Sequence, residues 1–272
     1  MTTKAAVTTL VLLAGFTCQR ASAQMDSWVN DRELANYLTR NGIAISTERA
    51  SLWFDMDAMT PEEMDAFAKL VNRGIGDIEE YLGGSRIGIR KVRYFISSHV
   101  EISHSTWRSI FLPIEKVQNR TAPYLHETTH VVAPCEDCPM WFSEGLASYV
   151  QSYVSEHGSG YDGAIFARRG NRGVDQDAKR WLASDRGEAV VGFIGTPGEP
   201  PAINYDRSNV AAPFYVMAQS LVKFIVQKAK VEKLSTVFNA KDFESELKRA
   251  TGKSSIEWKE LWLKRIGYHP AK

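Results

Sequence analysis

The stretch HETTHVVAPCEDCPMWFSEGLASYV, residues 126–150, constrains the fold of this chain more than any other feature. Two histidines stand four residues apart in it, with Glu127 directly after the first. On a helix, residues i and i+4 lie one turn apart on the same face, so the rings of His126 and His130 can reach one ion. Glu127 leaves such a helix in an adjacent direction, where it can hold a water molecule without binding the ion itself. The stretch therefore predicts a helix that carries a metal site.

A second glutamate, Glu144, completes the predicted site. Zinc held by two histidines at this spacing needs a third protein ligand and keeps a fourth position for water. Glu144 comes fourteen residues after His130, on a predicted second helix that follows a proline-flanked loop. The small residues Gly145 and Ala147 should let this helix pack closely against the first. We therefore expect one zinc ion per chain, with His126, His130 and Glu144 as its ligands.

The composition favours a globular domain. The 272 residues are 44% hydrophobic and 24% charged, which suits one compact domain with a buried core and argues against disorder. The formal net charge of +1 gives no electrostatic footprint for nucleic acid, so we expect no nucleic-acid partner.

The first 23 residues differ from the rest of the chain. Lys4 gives a positive start, residues 5–16 are almost entirely apolar or small, and Ala21-Ser22-Ala23 matches a cleavage signal. The apolar run is too short to span a bilayer as a permanent anchor. We therefore expect a secretory signal peptide at residues 1–23. The mature chain would then be periplasmic or extracellular, without a stable membrane anchor.

Two of the three cysteines, Cys135 and Cys138, lie between the predicted metal ligands. Export would place them in an oxidising compartment, which favours a disulfide. A second zinc site or a redox pair is the alternative, but a lone C-x-x-C is a weak signal, and no second pair completes four sulfur ligands. We expect a local structural disulfide.

The predicted elements run from a few strands and early helices to a helical half, which is the organisation of an α+β fold. Apolar runs predict the strands, which are residues 50–56, 91–97 and 109–117. Helical periodicity and cap signals predict the helices, which are residues 31–40, 61–82, 121–133, 140–157, 175–184, 214–230, 231–239, 241–251 and 255–266.

Two cap signals mark helix starts. Thr60 and Glu63 have the spacing of a capping box at the start of the helix that follows them. Thr121 should cap the helix that carries the histidines.

Two further segments have predicted positions. Pro113 cannot donate to a ladder on both sides, so strand 109–117 should lie at a sheet edge. Residues 158–212 are rich in Gly, Pro, Asp and Arg, and we expect them to form a long, partly ordered excursion over the site.

HETTH followed by WFSEGLASY resembles the gluzincin metallopeptidases, in which H-E-x-x-H is followed by [FW]-x-x-E-G-x-A. The resemblance points to the thermolysin-like and aminopeptidase-N-like branches, is specific over residues 126–149, and is loose over the remainder of 50–266. It implies a zincin-like catalytic domain at 50–268, after a lead-in at 24–49. The strand-and-helix half would be about 50–157 and the helical half about 210–268.

The resemblance also implies roles for residues. The zinc ligands would be His126, His130 and Glu144, and Glu127 would be the general base. A substrate peptide would lie along an edge strand before the histidine helix, which residues 109–117 could supply.

A downstream tyrosine and a missing motif refine the expectation. Aminopeptidase-like members of the family have Tyr-x-x-Gly before an apolar helix, and the tyrosine stabilises the oxyanion; here Tyr215 matches, with Ala218 in place of glycine. Tyr205 is the reserve candidate.

Residues 105–120 lack the G-x-M-E-N motif of the aminopeptidases, and Glu115, their one acidic residue, should face solvent on a strand. An endopeptidase is therefore the better expectation.

The expected function is that of an exported zinc metallopeptidase that hydrolyses peptide or protein substrates by metal-activated water. A non-catalytic binding or assembly protein on a peptidase scaffold is one alternative, although the complete set of four site residues disfavours it. A zinc hydrolase that acts on a non-peptide amide, such as a cell-wall crosslink, is another, because the activation of water is the same.

Overall fold

The computed structural model describes residues 30–56, 58–84, 90–135, 137–158, 170–198, 210–238 and 240–268. The predicted signal peptide and Tyr205 lie outside the described residues.

A five-stranded mixed sheet forms the first half of the fold. Its strands are β1 Ile43–Ser46, β2 Ala50–Phe54, β3 Val92–Ser97, β4 His104–Thr106 and β5 Ser109–Pro113. The order across the sheet is β1-β2-β3-β5-β4. Strands β2, β3 and β5 are parallel, and β1 and β4 pair antiparallel at the two edges. The segment expected as a lead-in thus contributes an edge strand to the sheet.

Helices surround the sheet and build the second half. Their bounds are α1 Asp31–Asn41, α2 Pro61–Tyr81, α3 Ile114–Gln118, α4 Tyr124–Val132, α5 Met140–His157, α6 Gly170–Leu182, α7 Asp185–Val191, α8 Ala212–Ala229, α9 Val231–Leu234, α10 Phe243–Thr251 and α11 Ser255–Ile266. The predicted capping box is confirmed: the Thr60 hydroxyl accepts from the backbone N–H of Glu63, and the Glu63 carboxylate accepts from that of Thr60.

The two faces of the sheet belong to different apolar clusters. Successive side chains of a strand point to opposite faces. Ile110 and Leu112 of β5 therefore join the large core with α2 and α4, whereas Phe111 joins a small cluster under α1 with Leu34 and Leu38. The face toward the large core is the one that supports the histidine helix.

The predicted strand at 109–117 is wrong in its extent and in its position at an edge. Strand β5 ends at Pro113, helix α3 follows, and Glu115 is exposed on that helix. Strand β5 lies between β3 and β4, so the edge is β4. Pro113 fits an interior strand because it is its last residue.

The histidine helix also begins later than expected. Its cap residue is Pro123, which makes no side-chain cap bond, and the Thr121 hydroxyl instead donates to the Lys116 carbonyl oxygen at 3.4 Å. The resulting α4 is short and buried along most of its length.

Helix α8 is the centre of the helical half. It packs against α5, α6 and α11. At Gly145 of α5 an added Cβ would lie 2.6 Å from the Ala218 carbonyl oxygen of α8. The small size of Gly145 therefore serves the contact with α8, rather than the contact with α4 that the sequence suggests.

None of the described helices is both long enough and apolar enough to span a bilayer.

Candidate metal centre

Helices α4 and α5 bring three candidate ligands to one point. The Nε2 atom of His126 lies 3.2 Å from that of His130 and 3.0 Å from Oε2 of Glu144. The distance from His130 Nε2 to the same oxygen is 3.5 Å. Zinc bonds of about 2.0–2.1 Å in tetrahedral geometry would place ligand atoms roughly 3.3 Å apart. The donor set and its spacing therefore fit a zinc ion.

Two successive hydrogen bonds connect α4 to the sheet. The Thr128 hydroxyl donates to the Tyr124 carbonyl oxygen at 2.5 Å. Its single proton is then used, so the Tyr94 hydroxyl of β3 donates to Thr128 at 2.6 Å. Burial raises the pKa of Tyr94 well above its usual range, which keeps this donor protonated. These hydrogen bonds hold α4 against strand β3.

Helix α5 supplies both a candidate ligand and a support for another. Ser148 lies one turn after Glu144, and its Oγ is 3.4 Å from Nδ1 of His126. A metal-binding histidine generally uses its second nitrogen for such a contact, which fixes the ring orientation. Sequence analysis did not single out Ser148, although its i+4 spacing from Glu144 was a usable signal.

The candidate ligands carry opposite charges in the absence of metal. Burial opposes the charged form of His130, but the Glu144 carboxylate outweighs it and raises the pKa of His130 to about 8. Burial likewise works to raise the pKa of Glu144, yet His130 and His126 hold that pKa far below its usual range. A proton on His130 thus occupies the place that a metal cation would take.

Glu127 and Tyr215 flank the three candidate ligands in an open cleft of about 880 Å³. Glu127 is 7% exposed and lies outside the group of three converging ligand atoms. Tyr215 is in the first turn of α8, and its ring centroid is 6.0 Å from that of His126. Both side chains therefore line the same cleft as the three candidate ligands.

The edge strand β4 forms one border of this cleft. It is anchored to α1, because His104 Nε2 lies 2.9 Å from an Asp31 carboxylate oxygen. The His104 ring also stacks on the Phe111 ring of β5, with the centroids 5.0 Å apart. The predicted edge at 109–117 is therefore replaced by β4, and Trp107 and Arg108 of the β4–β5 turn also line the cleft.

The loop between α4 and α5 contains a disulfide between Cys135 and Cys138, as the sequence predicts. Cys135 borders the cleft, and its Sγ lies 3.8 Å from the Val237 carbonyl oxygen. The bridge holds the connection between the two helices that carry the candidate ligands.

The expected excursion over the site is not seen in the described part of 158–212. Helix α6 packs against α5 and α8 instead. None of the described residues 170–198 lines the cleft.

The fold and the site together define an α+β protein with a two-histidine, one-glutamate cluster in a cleft. No protein-family model and no curated protein matches the chain. Among solved structures, it is similar to a mutant M1 zinc metallopeptidase from Deinococcus radiodurans bound to a Tyr-Ser-Ala substrate, at 12% identity and a TM-score of 0.43. The likeness covers 82% of this chain and 51% of that one, so this chain spans about half its length. The functional interpretation therefore rests on the residues of the site.

Proposed function

We propose that this chain is an exported zinc-dependent metallopeptidase that cleaves within peptides. The observation that carries the proposal is the convergence of His126, His130 and Glu144 beside the separate carboxylate of Glu127, in an open cleft. The disulfide supports the exported location, because such bonds persist in oxidising compartments.

The donor set suits zinc. Two imidazole nitrogens and one carboxylate oxygen are a combination found in catalytic zinc sites, which keep a fourth position open. When bound, zinc supplies Lewis acidity toward a carbonyl group and toward a water molecule.

Two side chains of the cleft carry the remaining chemistry. Glu127 takes the proton of the attacking water and passes it to the nitrogen of the departing amine. The Tyr215 hydroxyl donates a hydrogen bond to the oxygen of the scissile carbonyl as negative charge develops there. Both groups act next to His126, within the same cleft.

The edge strand β4 gives the substrate a place to lie. An extended peptide can add to an exposed strand edge through main-chain hydrogen bonds. The segment 105–120, which includes part of β4, lacks the motif that holds a free amino terminus in the aminopeptidase branch. Both features favour cleavage within a chain.

Glu127→Gln tests the proposal. The variant should bind one zinc per chain and lose roughly 10²–10⁴-fold in kcat, because a general base has been removed and the ligands remain. Zinc content and cleavage of a mixed peptide library measure the two properties. The matched control is Glu115→Gln, which changes an exposed carboxylate outside the cleft.

The outcomes separate the alternatives. Normal cleavage by Glu127→Gln would contradict the general-base role. Stoichiometric zinc in the unaltered protein without cleavage of any peptide would favour a non-peptide amide substrate. Absence of zinc would leave the binding-scaffold alternative.

A further inference from the structure

The tip of the β4–β5 hairpin has an unusual composition. Trp107 and Arg108 form its two-residue connection, and Trp107 has φ +46°. Positive φ is uncommon for a bulky residue, and such connections usually place glycine at this position. Backbone conformations of this kind cluster at binding and catalytic sites. The Trp107 side chain is 74% exposed at the border of the cleft.

Arg108 is directed to the same side of the sheet as the candidate zinc ligands. Arg108 directly precedes β5, two residues before Ile110 and four before Leu112, whose side chains face the large core and α4. Because side chains at every second position point to the same face, Arg108 points to that face as well. Its carbonyl oxygen accepts from the backbone N–H of Arg93 at 3.0 Å, which fixes the root of the side chain. The side chain lines the cleft together with His126 and Glu127.

The Arg108 guanidinium has an unused donor. Its Nη1 atom is buried and makes no hydrogen bond with any described residue. No ion pair joins Arg108 to an acidic residue within the described part of the chain. Buried donors are nearly always paired, and leaving a charged one unpaired is unfavourable. A ligand that accepts hydrogen bonds would remove this cost.

We propose that Arg108 is a specificity-determining residue that binds a carboxylate of the peptide substrate. This inference rests on the proposed peptidase function and names the substrate class. The planar fork of a guanidinium matches the two oxygens of a carboxylate, and a carboxylate would supply an acceptor for the buried Nη1 donor. The carboxylate belongs either to an acidic side chain or to the carboxyl terminus of the peptide.

A binding assay tests the inference without depending on turnover. Fluorescein-labelled alanine–glycine peptides carry a central Glu or Gln and end in a free or an amidated carboxyl group. Their affinities are measured by anisotropy with zinc-loaded Glu127→Gln protein, with and without Arg108→Gln. Arg93→Gln is the matched control, because Arg93 is exposed on the opposite face of the sheet.

We expect one of the two carboxylates, either the Glu side chain or the free carboxyl terminus, to improve peptide affinity roughly tenfold or more. The Arg108→Gln change should abolish this difference, and Arg93→Gln should preserve it. Dependence on the central Glu identifies the side chain as the source, and dependence on the free terminus identifies the carboxyl end. An equal preference in Arg108→Gln, or no preference in any protein, would overturn the inference.

Cleavage of the same peptides by protein with an intact Glu127 tests the proposed function separately. Carboxylate-dependent binding without cleavage would refute the peptidase and retain a carboxylate-binding Arg108. Cleavage with no effect of Arg108 on binding would retain the peptidase and refute the carboxylate subsite.

Discussion

At the scale of single residues, each candidate ligand is positioned by a neighbour before any metal binds. Ser148 contacts the second nitrogen of His126, and Glu144 pairs with His130. Such preorganisation matters because side chains that are already ordered lose less entropy when an ion or substrate arrives. The ring of Tyr215 lies beside that of His126, with the centroids 6.0 Å apart, and its proposed role can be tested by removing the hydroxyl alone.

Tyr215→Phe removes one hydroxyl and keeps the ring. We expect zinc content and peptide affinity to stay close to those of the unaltered protein, because the ring still packs beside His126. The kcat should fall roughly 10²-fold, as for the loss of one oxyanion donor. Steady-state kinetics with a quenched fluorescent peptide measures the change.

Tyr153→Phe is the control, since its ring packs against Tyr81 and stacks on His157 outside the cleft. A Tyr215→Phe variant with unchanged kcat would remove Tyr215 from the mechanism.

At this scale the sequence predicts the candidate residues whose spacing lies within one helix. His126, Glu127 and His130 follow from periodicity alone, and Glu144 follows from the need for a third ligand. Arg108 and Ser148 were missed, because their importance depends on which elements meet in space. A sequence pattern within one segment carries no information about such contacts.

At the scale of elements, α5 is held between α4 and α8. It lies close against α8 at Gly145, directly after the candidate ligand Glu144, where an added Cβ would meet the Ala218 carbonyl oxygen. Any displacement of α5 at this point moves the carboxylate relative to the histidines on α4.

Gly145→Ala should therefore destabilise the fold. The new methyl group would meet the Ala218 carbonyl at 2.6 Å, and separating packed helices costs about 1–3 kcal/mol. This exceeds the gain of roughly 1 kcal/mol from the better helix propensity of alanine. Urea denaturation measures the loss, and zinc affinity should fall as well.

The control is Gly76→Ala in α2, where a Cβ would have its nearest contact at 3.5 Å, with the Arg49 side chain. This variant should be unchanged or slightly more stable. Equal stabilities for both variants would show that α5 and α8 separate at negligible cost.

The helices that the sequence predicts most accurately are long and begin at a recognisable cap residue. Helix α11 was predicted at its observed bounds, and α2 to within one residue, because both have capping boxes and sustained periodicity. Strands β1 and β4 were missed because four or three residues are too few to show alternation. The interior position of β5 depends on strand order, which arises from contacts across the whole sheet.

At the scale of the whole molecule, a zinc ion would join the helix that packs on the sheet to the helix that packs on α8. His126 and His130 belong to the helix that packs on the sheet, whereas Glu144 belongs to the helix that packs on α8. A ligand that binds only the folded state stabilises it by about 2.7 kcal/mol at a hundredfold excess over Kd. Zinc should therefore raise the thermal midpoint of the entire chain.

This stabilisation should be larger at pH 8 than at pH 6. The raised pKa of His130, about 8, means that its pairing with Glu144 stabilises the metal-free protein below about pH 6.5 and that this contribution is lost as the pH rises through 8. Zinc must displace that proton at pH 6 and needs to displace little of it above pH 8. The difference amounts to about 2 kcal/mol.

Thermal melts with zinc or with chelator at pH 6 and pH 8 measure how the zinc-induced stabilisation depends on pH. Glu144→Ala should abolish this stabilisation at both pH values. A zinc-induced shift that is the same at both pH values would contradict the proton competition.

The exposed Trp107 at the border of the cleft gives the molecule an optical reporter of its own. The other described tryptophans are buried or half-buried, so their emission already comes from shielded rings. Because the Trp107 side chain is 74% exposed, its emission should be red-shifted and open to quenching by iodide in the free protein. A peptide that covers the rim of the cleft would shift this emission to shorter wavelengths and protect it from the quencher, so that occupancy can be followed in real time without a label.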